Sequence, residues 1–203
     1  MSLFRKLFGS KSNKSEEEIQ SEERGKYMPE INLPIDEKFT INFKSNGGKF
    51  LYCENLDEIF QTLDFIIEEN NWEDKKILFL DNELKKRFGS SSLNLAKPND
   101  TDATYFLTSC ENLIADDGSL LITSKQIAEK KLVDLPDNFI VFATTSQIVA
   151  SIGEGLRGIK SKNTQRIPTN ITTIKHFKSV EEKNFMTYGS NSKNLYLLLL
   201  EDL

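Results

Sequence analysis

The chain is poor in the residues that build metal and redox centres. It has 203 residues, two cysteines (Cys53 and Cys110, far apart and in no CxxC pair) and one histidine, His176. Structural zinc and iron–sulfur clusters each need about four clustered N or S ligands, so this chain cannot assemble either from its own side chains. Long apolar runs are also missing. No stretch approaches the ~20 residues that span a bilayer, and the N-terminus has no apolar run ending in a small-residue cleavage site. A cytoplasmic location is therefore expected. Nor is there an excess of basic charge: the net charge is −5 and the pI near 5.1. A general nucleic-acid binder needs a basic face to neutralise phosphates, so that class is set aside.

Lys11 to Glu30 is polar and charged, with Ile19 as its only aliphatic side chain. Such a segment buries too little apolar surface to offset its ordering entropy and reads as a tether. Ahead of it, Leu3, Phe4, Leu7 and Phe8 fall on one helical stripe beside Arg5 and Lys6. Residues 2–8 are thus either a frayed terminus or a short amphipathic helix for weak peripheral membrane contact or a partner groove. The expected division is a tail over residues 1–35 and one folded domain over 36–203, long enough to bury roughly 70% of its unfolded surface.

Within that domain Phe39, Ile41 and Phe43 alternate with polar residues. Asn46-Gly47-Gly48 and Phe50-Leu51-Tyr52-Cys53 follow, a pattern that reads as a β-hairpin. Asn55 with Glu58 three residues on marks a capped helix through Ile67, ended by Asn70-Asn71. Ile77 to Leu80 reads as a strand covered on both faces, and Asp81 caps a brief helix to Phe88. A Ser/Asn/Pro-rich loop leads to apolar runs at Tyr105-Phe106-Leu107 and Leu120-Leu121-Ile122. A charged helix near Gln126 to Lys131 comes next, followed by a buried strand Phe139 to Ala143. Thr145 or Ser146 then caps a helix carrying Ile148, Val149, Ile152, Leu156 and Ile159, before strands near 171–174 and 195–200. Strands alternating with helices predict an α/β fold: three layers, a largely parallel sheet with helices on both faces.

Four segments carry candidate chemistry. Asp116-Asp117-Gly118-Ser119 joins two apolar runs: a carboxylate there can act as general base or acyl nucleophile, or the four residues can be a β-turn. Thr144-Thr145-Ser146 lies where a strand feeds a helix, where hydroxyls can cap the helix or bind an anion. Gly189-Ser190-Asn191 before the last strand is a turn or a small-molecule loop. Arg157, Lys160, Lys162 and Arg166 form a basic run, a solvated loop or an anion contact. Gly153-Glu154-Gly155-Leu156-Arg157-Gly158 spells G-x-G-x-x-G, but its glycines are expected toward a helix's C-terminal end, where carbonyls repel phosphate. They are read as packing positions.

Taken in order, Thr108 through Leu120, Leu135-Pro136-Asp137-Asn138-Phe139-Ile140-Val141, Ser146-Gln147-Ile148-Val149, Ile167 through Thr172 and Gly189 through Leu200 resemble the LUD-domain, LutC-type lactate-utilisation family. That resemblance implies a NagB/RpiA/CoA-transferase-like fold and an accessory role in oxidising L-lactate to pyruvate beside an iron–sulfur or oxidoreductase subunit. It implies a small anion or the partner subunit as the bound species and no cofactor of the chain's own. It also implies an alternative, a CoA-transferase-like or hydrolase-like enzyme using Asp116 or Asp117.

Overall fold

The computed structural model describes residues 33–89, 93–98, 100–177 and 193–202. The amphipathic residues 2–8, the polar stretch after them, and Gly189, Ser190 and Asn191 lie outside these.

Six parallel strands form the central sheet in the order β1-β10-β7-β4-β2-β3. They are β1 (Lys49–Cys53), β2 (Lys76–Leu78), β3 (Asn94–Leu95), β4 (Tyr105–Ser109), β7 (Asn138–Thr144) and β10 (Asn194–Leu200). The inner strands β4, β7 and β10 are apolar with almost no alternation, because both of their faces are covered. On one face, Tyr105, Leu107, Ile140, Phe142, Tyr196 and Leu198 pack under helices α2 (Leu56–Glu69) and α3 (Asn82–Phe88). On the other, Phe50, Phe106, Phe139, Val141 and Leu197 meet helix α1 (Ile35–Ser45) and a second sheet. Burial pushes the Tyr105 phenol up to about 12, in keeping with a ring stacked on Trp72 at 4.8 Å inside the first layer.

The local signals for α2 and α3 hold. The Asn55 side chain accepts the Glu58 N–H, and the Asp81 carboxylate accepts those of Glu83 and Leu84. Asn70 closes α2 as expected.

Several expectations are corrected. Residues 39–43 are helical, not the first strand of a hairpin. Phe39 and Phe43 stand one turn apart on one buried face while Ile41, which a strand would place beside them, is 50% exposed. The second apolar run is not part of the parallel sheet. β6 (Ser119–Ile122) folds back antiparallel on β5 (Asn112–Ile114), and with β8 (Ile148–Val149) and β9 (Thr172–Ile174) makes a separate four-stranded sheet. Thr145 and Ser146 do not cap the long helix: a three-residue 3₁₀ turn (Thr145–Gln147) leads into β8, whose Ile148 and Val149 pair with Leu113 and Ile114. Helix α5 (Ile152–Lys162) starts after that, capped by Ser151. The charged helix is also shorter and earlier. α4 (Ser124–Ile127) carries a Thr123–Gln126 capping box and is stopped by left-handed Ala128 and Glu129.

That later start relocates the glycine motif. Gly153 and Gly155 lie in the first turns of α5, not at its C-terminal end; there the Ser151 hydroxyl accepts the Glu154 N–H, and the Glu154 carboxylate reaches back to the Ala150 N–H ahead of the helix. Gly155 is a packing position. A Cβ there would come 3.0 Å from Leu121 Cδ2, so glycine lets α5 lie close on the second sheet.

Candidate active-site crevice

Parallel α/β sheets bind ligands beyond the carboxyl ends of their strands, at the point where successive connections leave in opposite directions. Here that point is between β2 and β4. From β2 the chain runs outward to β3; from β4 it runs the other way to β7. A crevice of about 480 Å³ opens there, lined by Asp81 and Leu84 after β2, Ser109 and Cys110 after β4, and Phe142, Gln147 and Arg87.

Most polar groups of the crevice are committed to the fold. Asp81 faces the first N–H groups of α3. Gln147 donates from Nε2 to the Cys110 carbonyl (2.6 Å) and accepts the Thr144 N–H at Oε1 (2.8 Å), which ties the end of β7 to the end of β4. Lys86 pairs with Glu83 at 2.7 Å on an exposed face, a contact worth little. Burial drives the Cys110 thiol far above the usual cysteine range, so it is not a thiolate nucleophile. Two groups are left. The Arg87 guanidinium lies over the Phe142 ring, 5.5 Å from its centroid, with no carboxylate partner among the described residues. The half-buried Ser109 hydroxyl likewise has no protein partner among them. A cation over an aromatic face in the same crevice as a hydroxyl is an arrangement suited to a carboxylate or phosphate.

The expected site residues are positioned differently. Asp116 is ion-paired to Lys38 of α1 at 2.7 Å. Asp117 Oδ1 accepts the Ser119 N–H (3.1 Å) and hydroxyl (2.6 Å), and its Oδ2 lies 3.6 Å from Lys175. Gly118 has a φ of +67°, so the four residues form a tight turn between β5 and β6. The turn is fixed to α1 by Asn42, which donates to the Ala115 and Asp116 carbonyls, and by Asn46, which donates to that of Asp117.

The Thr144–Ser146 turn is elsewhere, at the carboxyl end of β7. Among the described residues it shares no hydrogen-bonding partner with Asp116, whose N–H donates to the Ala150 carbonyl beyond β8. Its hydroxyls already hold an anion, the Asp202 carboxylate just beyond β10. Thr145 Oγ1 (2.8 Å), Ser146 N–H (2.8 Å) and Ser146 Oγ (2.6 Å) all donate to it. Burial alone would raise the Asp202 carboxyl; the Ser146 and Thr145 donors outweigh it and hold the group at about 2. A depressed carboxylate stabilises the fold above its unfolded value of 3.8 and loses that contribution as pH falls toward 2. Asp202 is exposed, so solvent screening reduces the effect to about 1 kcal/mol. Asp202→Asn should lower Tm by about 3 °C at pH 6, and the gap from the parent should narrow between pH 4 and 3. A gap independent of pH would mean that charge plays no part in the tie.

Neither the crevice nor the Asp202 tie follows from local sequence. The crevice needs the strand order, and Asp202 meets Thr145 across 57 positions. Among the described residues no helix is long and apolar enough to cross a membrane. Comparison with curated proteins gives no match. Among solved structures, a DUF162-family protein from Deinococcus radiodurans, known from a crystal structure at 1.70 Å, aligns with a TM-score of 0.58 over 83% of this chain and 96% of that one. At 12% identity this is a likeness of fold alone. The LUD-domain family model matches residues 37–200, nearly the whole described domain. The chain therefore belongs to the LUD-domain family, and so to the lactate-utilisation-related proteins in general.

Proposed function

We propose that this protein is a LutC-like accessory protein of lactate utilisation. It works beside an iron–sulfur or oxidoreductase subunit in oxidising L-lactate to pyruvate, and it holds a small carboxylate in the crevice between β2 and β4. The observation that carries the reading is the Arg87 guanidinium, without an ion-pair partner among the described residues, over the Phe142 ring in the same crevice as the Ser109 hydroxyl, at the point where the strand connections diverge. A guanidinium offers paired N–H donors in a rigid fork that matches a planar carboxylate. A 2-hydroxy or 2-oxo acid would place its carboxylate on Arg87 and its adjacent oxygen toward Ser109, with Leu84 and Phe142 against its methyl end.

NMR titration of the full chain with L-lactate and with pyruvate tests this. Amide shifts should concentrate at Ser109, Phe142 and Arg87, and Arg87→Gln should weaken binding about tenfold, as loss of one charge-assisted contact does. Arg87→Lys should recover only part, because an ammonium cannot bind in a fork. Saturable binding that is unaffected at Arg87, or no binding of either acid, would sink the crevice reading. Purification from the native cell without any iron–sulfur or oxidoreductase partner would sink the accessory role.

A further inference from the structure

A second face of the molecule shares no residue with the crevice. Residues 124–133 and 159–172 contain six basic side chains and a single acid, Glu129, in a chain whose net charge is −5. Contacts draw the two stretches together: Ser124 N–H donates to the Thr169 carbonyl (2.9 Å), Thr169 N–H to Ser124 Oγ (3.1 Å) and Lys125 Nζ to Asn163 Oδ1 (2.7 Å). The one acid is used in the same clasp. The Glu129 carboxylate accepts from the Thr169 hydroxyl and from Asn170 Nδ2. No ion pair among the described residues engages Lys125, Lys130, Lys131, Lys162 or Arg166, and positive charge predominates over these two stretches.

The surface also has relief and apolar content. Two clefts flank the clasp, one of about 380 Å³ floored by Ile127, Val133 and Ile171, the other of about 260 Å³ beside Ile167 and Pro168. Val133 is 61% exposed and Ile167 49%. Ala128, Glu129 and Asn170 all have positive φ, and Asn170 lines the first cleft while Glu129 lines the second.

We infer that this face docks an acidic segment of a partner protein, whose carboxylates meet Lys130, Lys131, Lys162 and Arg166 while its apolar side chains enter the two clefts. Predominant positive charge selects an anionic partner and speeds its encounter. Two discrete clefts with apolar side chains in their lining favour a polypeptide over a bilayer, which has no discrete side chains to fill them. A nucleic acid would gain little from the clefts and would be repelled by the rest of an acidic chain.

The test uses the full chain and a short fluorescent peptide alternating Glu and Leu, with a Glu/Ser peptide, phosphatidylglycerol-containing vesicles and duplex DNA as parallel arms. The expected result is saturable binding of the Glu/Leu peptide, with methyl shifts at Ile127, Val133 and Ile171. The triple variant Lys130→Glu, Lys131→Glu, Arg166→Glu should bind about tenfold more weakly, the sum expected for three reversed surface charges. The uncharged variant Ile171→Ser should weaken the Glu/Leu peptide and leave the Glu/Ser peptide unchanged, a readout that does not depend on charge. Equal affinity in the triple variant, absence of saturable peptide binding, or tighter binding of vesicles or DNA would each overturn the proposal. Pyruvate titration of the same variants should be unaltered, which separates failure here from failure of the crevice reading.

Discussion

Gly118→Ala is expected to destabilise the domain by about 3 kcal/mol or more, through backbone strain and collision together. The φ of +67° costs an L-residue roughly 1 kcal/mol by itself. The larger part comes from what lies above the missing side chain. A Cβ at this position would collide with the main chain of α1, at Phe43 N and Asn42 C, and come within 2.7 Å of Asn42 O. Helix backbone cannot rotate aside as a side chain does. Relief would need the turn to lift off α1, and that would break the Asn42 and Asn46 bonds to the carbonyls of residues 115–117. Gly118→Asn separates the two causes. Asparagine tolerates left-handed backbone, so if φ alone mattered this variant would lose only a few tenths of a kcal/mol. Close approach predicts that it loses nearly as much as alanine. Urea unfolding of both variants settles the point, and a near-native Gly118→Asn would refute the collision.

What the sequence made legible is what depends on neighbours in the chain. Asn55 with Glu58, Asp81 before Asn82, and Leu135-Pro136 before β7 are local signals, and each marks its element. Unbroken apolar runs at 105–107, 139–143 and 195–200 reported burial on both faces, hence a parallel sheet. The second sheet was not legible, because Leu120-Leu121-Ile122 is as apolar as a central strand and only its pairing with β5 and β9 assigns it elsewhere. Ile148 and Val149 fit a helical stripe with Ile152 as well as they fit a two-residue strand. The surroundings of the candidate site residues were not legible for a similar reason. Asp116, Asp117, Thr145 and Ser146 carry the right chemistry, but their hydrogen-bonding capacity is taken up within the fold by Ser119, Lys38 and Asp202. Arg87 drew no notice as one of three basic residues ending a short helix. Its position over the Phe142 ring and its place in the crevice between β2 and β4 appear only once the strand order is known.

The stretch 35–45 gives the most direct experimental separation of the two readings of its sequence, and the second large effect. As a strand, Phe39, Ile41 and Phe43 would share one face and contribute alike. As a helix, Phe39 and Phe43 are fully buried and Ile41 is half exposed. Phe43→Ala should therefore cost about 3–5 kcal/mol, since its ring packs against Phe39 at 5.4 Å, Phe50 at 6.3 Å and Phe177 at 5.0 Å, and truncation leaves a cavity among them. Ile41→Ala should cost well under about 1 kcal/mol, as surface changes do. The same ring explains Gly48. A Cβ there would fall on the edge of Phe43, 2.8 Å from Cδ1, so Gly48→Ala should destabilise the parent by forcing the ring against its neighbours. In the Phe43→Ala background that obstacle is gone, and the added methyl would enter the cavity instead. A double-mutant cycle should then show strong coupling, the Gly48→Ala penalty shrinking toward zero or changing sign. Equal penalties in the two backgrounds would mean that the space over Gly48 belongs to something other than Phe43, and that the packing of α1 on β1 is not what decides the fold of this segment.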